Sequence, residues 1–152
     1  MSNLKTGDFV VNVRSYSMGK PGRAICNARN HHIVEDEPQG NGEWGEAINA
    51  AELLMFGVTS CGVTLIEKLA MELKYPLARM ELTLTGIKHR EEPQPHKHVT
   101  VFHEVDLTYT LVGVSPAKGK ELVAAHQARC PMYGTVAIAT PKVTTHIATP
   151  AK

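Results

Sequence analysis

Short runs of alternating apolar and polar residues open the chain, a pattern typical of half-buried β-strands. The pattern predicts strands at residues 9–14, 23–28 and 32–36, with turns at residues 18–22 and 29–31. A loop follows at residues 37–45, and its three glycines predict that it contains no regular element. The first part of the chain is therefore expected to form three consecutive strands.

A long apolar run with helical spacing begins near residue 50. From Leu53 onward, its apolar residues recur at intervals of three and four positions. Asn49, with Glu52 three residues later, has the form of an N-cap with a capping-box acid, and Pro76 is expected to end the helix. Because apolar residues surround almost the whole circumference over residues 53–65, the pattern predicts a central helix that is buried on most sides.

Extended patterns return after this helix. Strands are predicted at residues 78–84, 99–112 and 143–147, and the charged residues 88–98 are expected to form a solvated loop. Ser115 followed by Pro116 predicts the N-cap and first residue of a second helix. Pro131 disfavours helical geometry at the residue before it, so this helix should end near Cys130, with a short new turn from Pro131.

Length and charge narrow the class of protein. The chain has 152 residues, with 16 basic and 15 acidic side chains. This length favours a single domain, residues 1–152, and the charge balance indicates neither a nucleic-acid nor a membrane-surface partner. Any ligand is then expected to be small or apolar. The first residues do not resemble a signal peptide, and the sequence indicates no window of about 18 apolar residues. We therefore expect a cytoplasmic protein without a membrane span.

Three cysteines lie in different surroundings. Cys61 falls inside the apolar helix, Cys130 at the break before Pro131, and Cys26 on a short predicted strand. In a cytoplasmic chain, they argue against a disulfide framework and leave inert, metal-bound or transiently oxidised thiols. Free cysteine is often buried without any chemistry, and we interpret Cys26 as a passive core or interface residue.

Histidines raise the alternative of a metal site. His89, His96 and His98 lie in the charged loop. A metal needs a complete ligand set, and no acid or cysteine nearby completes a plausible one. We therefore predict no metal and no cofactor.

A series of motifs follows in order along the chain. They are Asp36-Glu37-Pro38, a glycine loop, Asn49-Ala50-Ala51-Glu52-Leu53-Leu54, Ser60-Cys61-Gly62, and Cys130-Pro131 before a final strand. Over roughly residues 22–148, this order resembles the OsmC/Ohr family of osmotically inducible and organic-hydroperoxide-resistance proteins. The resemblance implies an α+β fold in which antiparallel sheets pack on a long central cysteine-bearing helix. It also implies an intertwined homodimer with its active sites at the subunit interface.

The resemblance further implies thiol-dependent reduction of organic hydroperoxides, such as alkyl or lipid hydroperoxides. Cys61 would be the peroxidatic cysteine and Cys130 the resolving one. A thiolate attacks the peroxide oxygen and becomes a sulfenic acid, which condenses with the second cysteine into a disulfide. An external dithiol would reopen that disulfide, with no metal, nucleotide or flavin required. The competing hypothesis is a non-enzymatic member of the family that binds an apolar small molecule.

The peroxidatic thiol needs a nearby cation to lower its pKa, because burial alone raises the pKa of a thiol. In the family this cation is an arginine held by a glutamate, and the positions that carry it match Lys20 and Asn41 here. Arg14 and Arg29 remain as candidates, and Arg14 is preferred because a strand end can direct its side chain at a helix across an interface. Glu52 matches the acid of some family branches, or acts only as a helix cap.

Overall fold

The computed structural model describes residues 6–41, 43–89, 99–140 and 142–148, which fold into an α+β structure. The chain divides into two compact units between Leu53 and Leu54, inside its longest described helix. The first unit contains β1 (Val13–Ser17), β2 (Arg23–Ala28), β3 (His31–Asp36), a 3-10 helix (Gln39–Asn41) and the start of α1 (Ala50–Glu72). The second contains the rest of α1, β4 (Arg79–Ile87), β5 (Glu104–Val112), α2 (Pro116–Arg129), α3 (Pro131–Ala139) and β6 (Lys142–Ala148).

An antiparallel sheet in the order β1-β2-β3 makes up most of the first unit. β2 and the turns on either side of it lie where the sequence predicts them, but β1 starts at Val13 instead of residue 9. Val13 pairs with Ala28, the last residue of β2, so the sheet offers residues 9–12 no backbone partner. The register of β2 therefore limits β1, and Phe9 is 92% exposed.

The loop after β3 is more regular than its three glycines predict. Gln39–Asn41 form one turn of 3-10 helix, which corrects the expectation of no regular element. A turn of this kind is a common connector and needs only three residues in helical geometry. Gly45, with a φ of 63°, then turns the chain in the left-handed conformation that favours glycine.

Local hydrogen bonds set both ends of α1. The predicted capping box is confirmed, because Asn49 N–H donates to Glu52 Oε2 at 2.9 Å and Glu52 N–H donates to Asn49 Oδ1 at 3.0 Å. The helix ends at Glu72, before Pro76 is reached. Lys74 there is left-handed, with a φ of 55°, and the N–H groups of residues 74 and 75 bond back to the last turn.

Only one side of α1 is buried in the described chain. Its buried residues are Val58, Gly62, Ile66, Leu69 and Ala70. Leu54 and Phe56 are 55% and 63% exposed, so the expectation of a helix buried on most sides is wrong for the single chain. Apolar side chains on the exposed side have no cover from the described residues.

The composition of α1 corrects the expectation that no window of about 18 residues is apolar enough to span a membrane. The helix contains an 18-residue window with a mean hydropathy of 1.5, which is long and apolar enough to cross a membrane. In the structure, 28% of that window is buried. Core helices of water-soluble proteins pass the same test of length and composition.

The second unit is built on a sheet in the order β4-β5-β6. β4 and β5 are antiparallel as expected, but β5 and β6 are parallel, which corrects the expectation of purely antiparallel sheets. α2 and α3 connect β5 to β6, and parallel neighbours require a crossover of this length. Alternate residues of β5 are buried: Val105, Leu107, Tyr109 and Leu111. They form one core with residues of α1 and α2, including Ile66, Leu69 and Leu122.

The ends of the long hairpin also differ from prediction. β4 continues to Ile87 instead of ending at residue 84, and β5 begins at Glu104 instead of residue 99. The two strands pair residue for residue, from Arg79 opposite Val112 to Ile87 opposite Glu104. Of the predicted solvated loop, only Lys88 and His89 lie within the described residues.

The helices after β5 follow the sequence at their starts. Ser115 caps α2 as predicted, since its Oγ accepts the Lys118 N–H at 3.5 Å. α2 ends at Arg129 as expected, but Pro131 begins the nine-residue helix α3 instead of a short turn. Proline suits the first position of a helix, where its missing N–H would have no partner, so Pro131 both ends α2 and begins α3.

Candidate functional site

Cys61 and Cys130 lie in contact. Cys61 is half-buried in the middle of α1, and Cys130 is 3% exposed between α2 and α3. Their Sγ atoms are 3.4 Å apart, within hydrogen-bond distance for two thiols. A disulfide bond is about 2.05 Å long, so the sulfurs need only a small approach to become bonded. The structure thus brings together two of the four predicted site residues.

The backbone holds Cys130 at the junction of two helices. The residue is extended, with a φ of −82° and a ψ of 116°, and it is both the C-cap of α2 and the N-cap of α3. Its N–H donates to the His126 carbonyl at 2.8 Å, and its Sγ accepts the Tyr133 N–H at 3.4 Å. Because Pro131 disfavours helical geometry at the preceding residue, the local sequence creates this junction.

A buried histidine that sequence reasoning missed lies beside the cysteine-bearing segments. His126 is 0% exposed, and its Nδ1 is 3.0 Å from the Tyr109 hydroxyl on β5. Its ring meets the rings of Tyr109 and Tyr133 edge to face, each at 5.6 Å between centroids. The sequence carried one signal for it, since Leu122, His126 and Cys130 recur every four residues along one face of α2.

Burial and neighbours shift the acidities of the site. Burial raises the pKa of Cys61, a hydrogen bond with Cys130 raises it further, and the Met132 backbone N–H lowers it. The described surroundings of Cys61 therefore favour the thiol over the thiolate. Burial also raises the pKa of Tyr109 and lowers the pKa of His126, so the phenol and the imidazole are both neutral at pH 7.

The other two predicted site residues, Arg14 and Glu52, lie in the first unit. Arg14 is exposed on β1, opposite Asn27, and its guanidinium carbon is 5.5 Å from the centroid of the Tyr16 ring. Glu52 is exposed and engaged in the capping box at the start of α1. Their roles toward the thiol stay predictions.

Further residues singled out from the sequence have ordinary surroundings in the first unit. Lys20 Nζ is 4.6 Å from the centroid of the Trp44 ring, and Arg29 lies at the turn after β2 with a φ of 56°. Cys26 Sγ accepts a hydrogen bond from Ser15 Oγ at 3.2 Å across the β1–β2 pair.

Sequence reasoning also missed an ion cluster of the first unit. Arg23 Nη2 is 2.6 Å from Asp36 Oδ2 and 2.7 Å from Glu46 Oε2. Asp36 is fully buried, and the hydrogen bond from Arg23 lowers its pKa. Asp36 Oδ2 also accepts the Glu46 N–H at 3.1 Å. The cluster ties the loop to β2 and β3, and so serves the architecture of the unit.

One of the three histidines of the predicted loop, His89, lies within the described residues. His89 Nε2 is 3.2 Å from Glu104 Oε1, and the His89 N–H donates to His103 Nδ1 at 3.2 Å. His96 and His98 lie outside the described residues. Among the residues that the structure describes, no group of three or more histidine, cysteine or acidic residues could hold a metal ion.

Known proteins similar to this chain share its fold. A family model described as OsmC-like protein matches residues 40–146, and no curated protein gives a significant match. An OsmC-like protein from Mycoplasma pneumoniae is 14% identical, with a TM-score of 0.79 over 95% of this chain and 99% of that one. An organic hydroperoxide resistance protein from Elizabethkingia anophelis is 13% identical, with a TM-score of 0.78 over 96% and 100%. Another, from Legionella pneumophila, is 16% identical, with a TM-score of 0.71 over 94% and 98%.

These similarities confirm the resemblance that the motifs indicate. At such low identities, the solved structures support the α+β fold, and the family model supports membership because it covers more than half of the chain. The chain therefore belongs to the OsmC-like protein family.

Proposed function

We propose that the protein is a thiol-dependent peroxidase that reduces organic hydroperoxides, with Cys61 as the peroxidatic cysteine and Cys130 as the resolving one. The observation that carries the proposal is the distance of 3.4 Å between the two sulfurs. The family membership supports it, because solved structures with the same fold include organic hydroperoxide resistance proteins.

The reaction needs only the two sulfurs and an external dithiol. The Cys61 thiolate attacks one peroxide oxygen, the O–O bond breaks, and the other oxygen leaves as an alcohol after taking a proton. The Cys130 sulfur then attacks the Cys61 sulfenic acid, which forms the disulfide and releases water. An external dithiol reduces the disulfide by thiol exchange.

Apolar side chains near the cysteines support a bulky alkyl or lipid hydroperoxide as the substrate. Met132 follows Pro131 at the start of α3 and is 41% exposed, and its backbone N–H lowers the pKa of Cys61. Phe56, five residues before Cys61 on α1, is 63% exposed. These side chains offer an alkyl group a contact that a small polar peroxide would not use.

Activation of Cys61 is assigned to a cation, because the described surroundings raise the pKa of this thiol. Arg14 is the proposed cation, supplied across the interface of a homodimer, and Glu52 is the proposed acid that holds it. The exposed apolar side of α1, with Leu54 and Phe56, supports a second copy of the chain as its cover. A cytoplasmic location agrees with a reaction that needs a dithiol reductant.

A second candidate is a non-enzymatic OsmC-like protein that binds an apolar small molecule. The raised pKa of Cys61 favours it, since an unactivated thiol reacts slowly with peroxide. The same apolar side chains would then contact a ligand that is not turned over.

Thiol titration after one equivalent of cumene hydroperoxide separates the two functions. The peroxidase should lose two thiols per chain and contain a Cys61–Cys130 disulfide by mass spectrometry. Cys61→Ser should consume no peroxide, while Cys130→Ser should consume about one equivalent and leave a sulfenic acid that dimedone traps at Cys61. Cys26→Ser is the matched control and should behave as wild type. Full consumption by Cys61→Ser would refute the peroxidase.

A further inference from the structure

His126 contacts both segments that carry the cysteines. Its carbonyl accepts the Cys130 N–H at 2.8 Å, which fixes the end of α2. On the other side, its Nε2 is 3.1 Å from the point where a Cβ at Gly62 would lie. Gly62 is the residue after Cys61 on α1. The His126 side chain, which belongs to the helix that ends at Cys130, therefore reaches across to α1 beside Cys61.

Packing alone does not explain a histidine at this position. Within the described residues, His126 Nε2 is buried without a hydrogen-bond partner. Such an atom costs about 1–3 kcal/mol, and an alkyl side chain of similar size would fill the space without that cost. Unlike an alkyl group, the imidazole is a flat ring with a second nitrogen, and a hydrogen bond to that nitrogen can fix the orientation of the ring.

Tyr109 supplies the partner for that atom. The Tyr109 hydroxyl is 3.0 Å from His126 Nδ1, and both residues are 0% exposed. Because Nε2 has no partner, this is the one hydrogen bond that orients the ring within the described chain. The ring of Tyr133, whose N–H bonds Cys130 Sγ, packs on the same imidazole.

We propose that His126, oriented by Tyr109, is a positioning residue for the thiol pair, which sets the distance between the Cys130 end of α2 and the Cys61 turn of α1. The inference rests on the proposed function for its purpose, since a resolving cysteine must reach the sulfenic acid quickly. It acts through the two cysteines and takes no part in the chemistry itself.

Thiol–disulfide exchange with glutathione tests this positioning without any peroxide. Oxidation of the protein by glutathione disulfide forms the Cys61–Cys130 bond and yields two molecules of reduced glutathione, so two electrons and two protons pass to glutathione. The equilibrium constant measures the effective concentration of one thiol at the other, and mass spectrometry of the alkylated mixture gives the ratio.

Four variants separate positioning from stability. We expect His126→Ala to lower the equilibrium constant at least tenfold, which corresponds to about 30 mV. His126→Gln has an uncharged side chain of similar reach and should return the constant to within about threefold of wild type. Tyr109→Phe keeps the ring packing and should lower the constant about threefold to tenfold. The control is Leu122→Ala, which empties the core one turn earlier on α2 and should leave the constant unchanged.

The outcomes are decisive in either direction. A constant within twofold of wild type in both His126→Ala and Tyr109→Phe would overturn the inference, as would a loss in Leu122→Ala equal to that in His126→Ala. If His126→Ala does not fold, the Tyr109→Phe result decides alone. A tenfold loss in a protein whose wild type consumes no peroxide would support the positioning role and refute the peroxidase.

Discussion

Two glycines of α1 should respond to alanine with opposite signs. Alanine is favoured over glycine in a helix by about 1 kcal/mol, so each substitution begins with the same gain. At Gly57 an added Cβ meets nothing within 4 Å, and the gain should be realised. At Gly62 an added Cβ falls well inside the van der Waals distance of Leu82 Cδ2 and 3.1 Å from His126 Nε2.

The contacts at Gly62 should outweigh the helix propensity. Leu82 and His126 are both buried, so neither side chain can move out into solvent. Overpacking a core by one methyl costs about 1–3 kcal/mol, which leaves a net destabilisation of up to about 2 kcal/mol. Gly57→Ala should instead stabilise the protein by about 0.5–1 kcal/mol.

Urea denaturation of both variants under reducing conditions measures these differences. Gly57→Ala is the matched control for Gly62→Ala, because the two variants share the same helix and the same chemical change. We expect the free energy of unfolding of Gly57→Ala to exceed that of Gly62→Ala by about 2 kcal/mol, or several degrees in Tm. If Gly62→Ala is at least as stable as Gly57→Ala, the close packing of His126 against α1 is refuted.

Three more predictions follow from the site. Arg14→Ala should slow the alkylation of Cys61 by iodoacetamide at pH 7 about tenfold or more, because a nearby cation lowers a thiol pKa by about 1–3 units. Arg29→Ala is the control, and equal rates in wild type and Arg14→Ala would remove the role from Arg14. Sedimentation at micromolar concentration should give twice the chain mass of 16.6 kDa, and a monomer would remove the proposed interface site. Burial lowers the pKa of His126, so the unfolded chain binds a proton first as the pH falls below about 6.5. The free energy of unfolding should decrease from that pH down to the folded-state pKa, and His126→Gln should lack this decrease when followed by urea denaturation.

Features with local causes could be predicted from the sequence. The capping box of Asn49 and Glu52 involves residues three positions apart, and the cap at Ser115 is of the same kind. β2 lies between two turns whose glycines and polar residues are visible in the sequence. In each case the residues that cause the structure are neighbours along the chain.

Features set by distant partners could not be predicted in this way. β1 begins at Val13, which pairs with the last residue of β2, and the apolar pattern from Phe9 does not reveal this limit. β6 is parallel because α2 and α3 carry the chain back to the other end of β5. The contact of His126 with Tyr109 joins residues of two elements, and a histidine within an apolar face of α2 was its only local sign.

The pairing of Cys61 with Cys130 is an intermediate case. Their roles came from the family resemblance, while their separate surroundings were visible in the sequence. The sequence did not reveal that this arrangement disfavours the thiolate of Cys61. Burial of Cys61, and its hydrogen bond with Cys130 at 3.4 Å, both raise the pKa of Cys61. The short distance between the sulfurs therefore favours formation of the disulfide. The raised pKa opposes the earlier step, in which the Cys61 thiolate attacks the peroxide.

This opposition links the proposals about activation and assembly. A cation must offset the raised pKa of Cys61 if the thiol is to attack a peroxide at pH 7. The cation proposed for that role, Arg14, is an exposed residue of β1, and the family resemblance implies an active site at a subunit interface. A peroxidase activated by Arg14 across this interface must then lose activity on dilution as the dimer dissociates, together with the fast alkylation of Cys61. A cation that stabilises the Cys61 thiolate also stabilises the reduced pair, so the glutathione equilibrium of Cys61 and Cys130 should shift toward the disulfide on dilution.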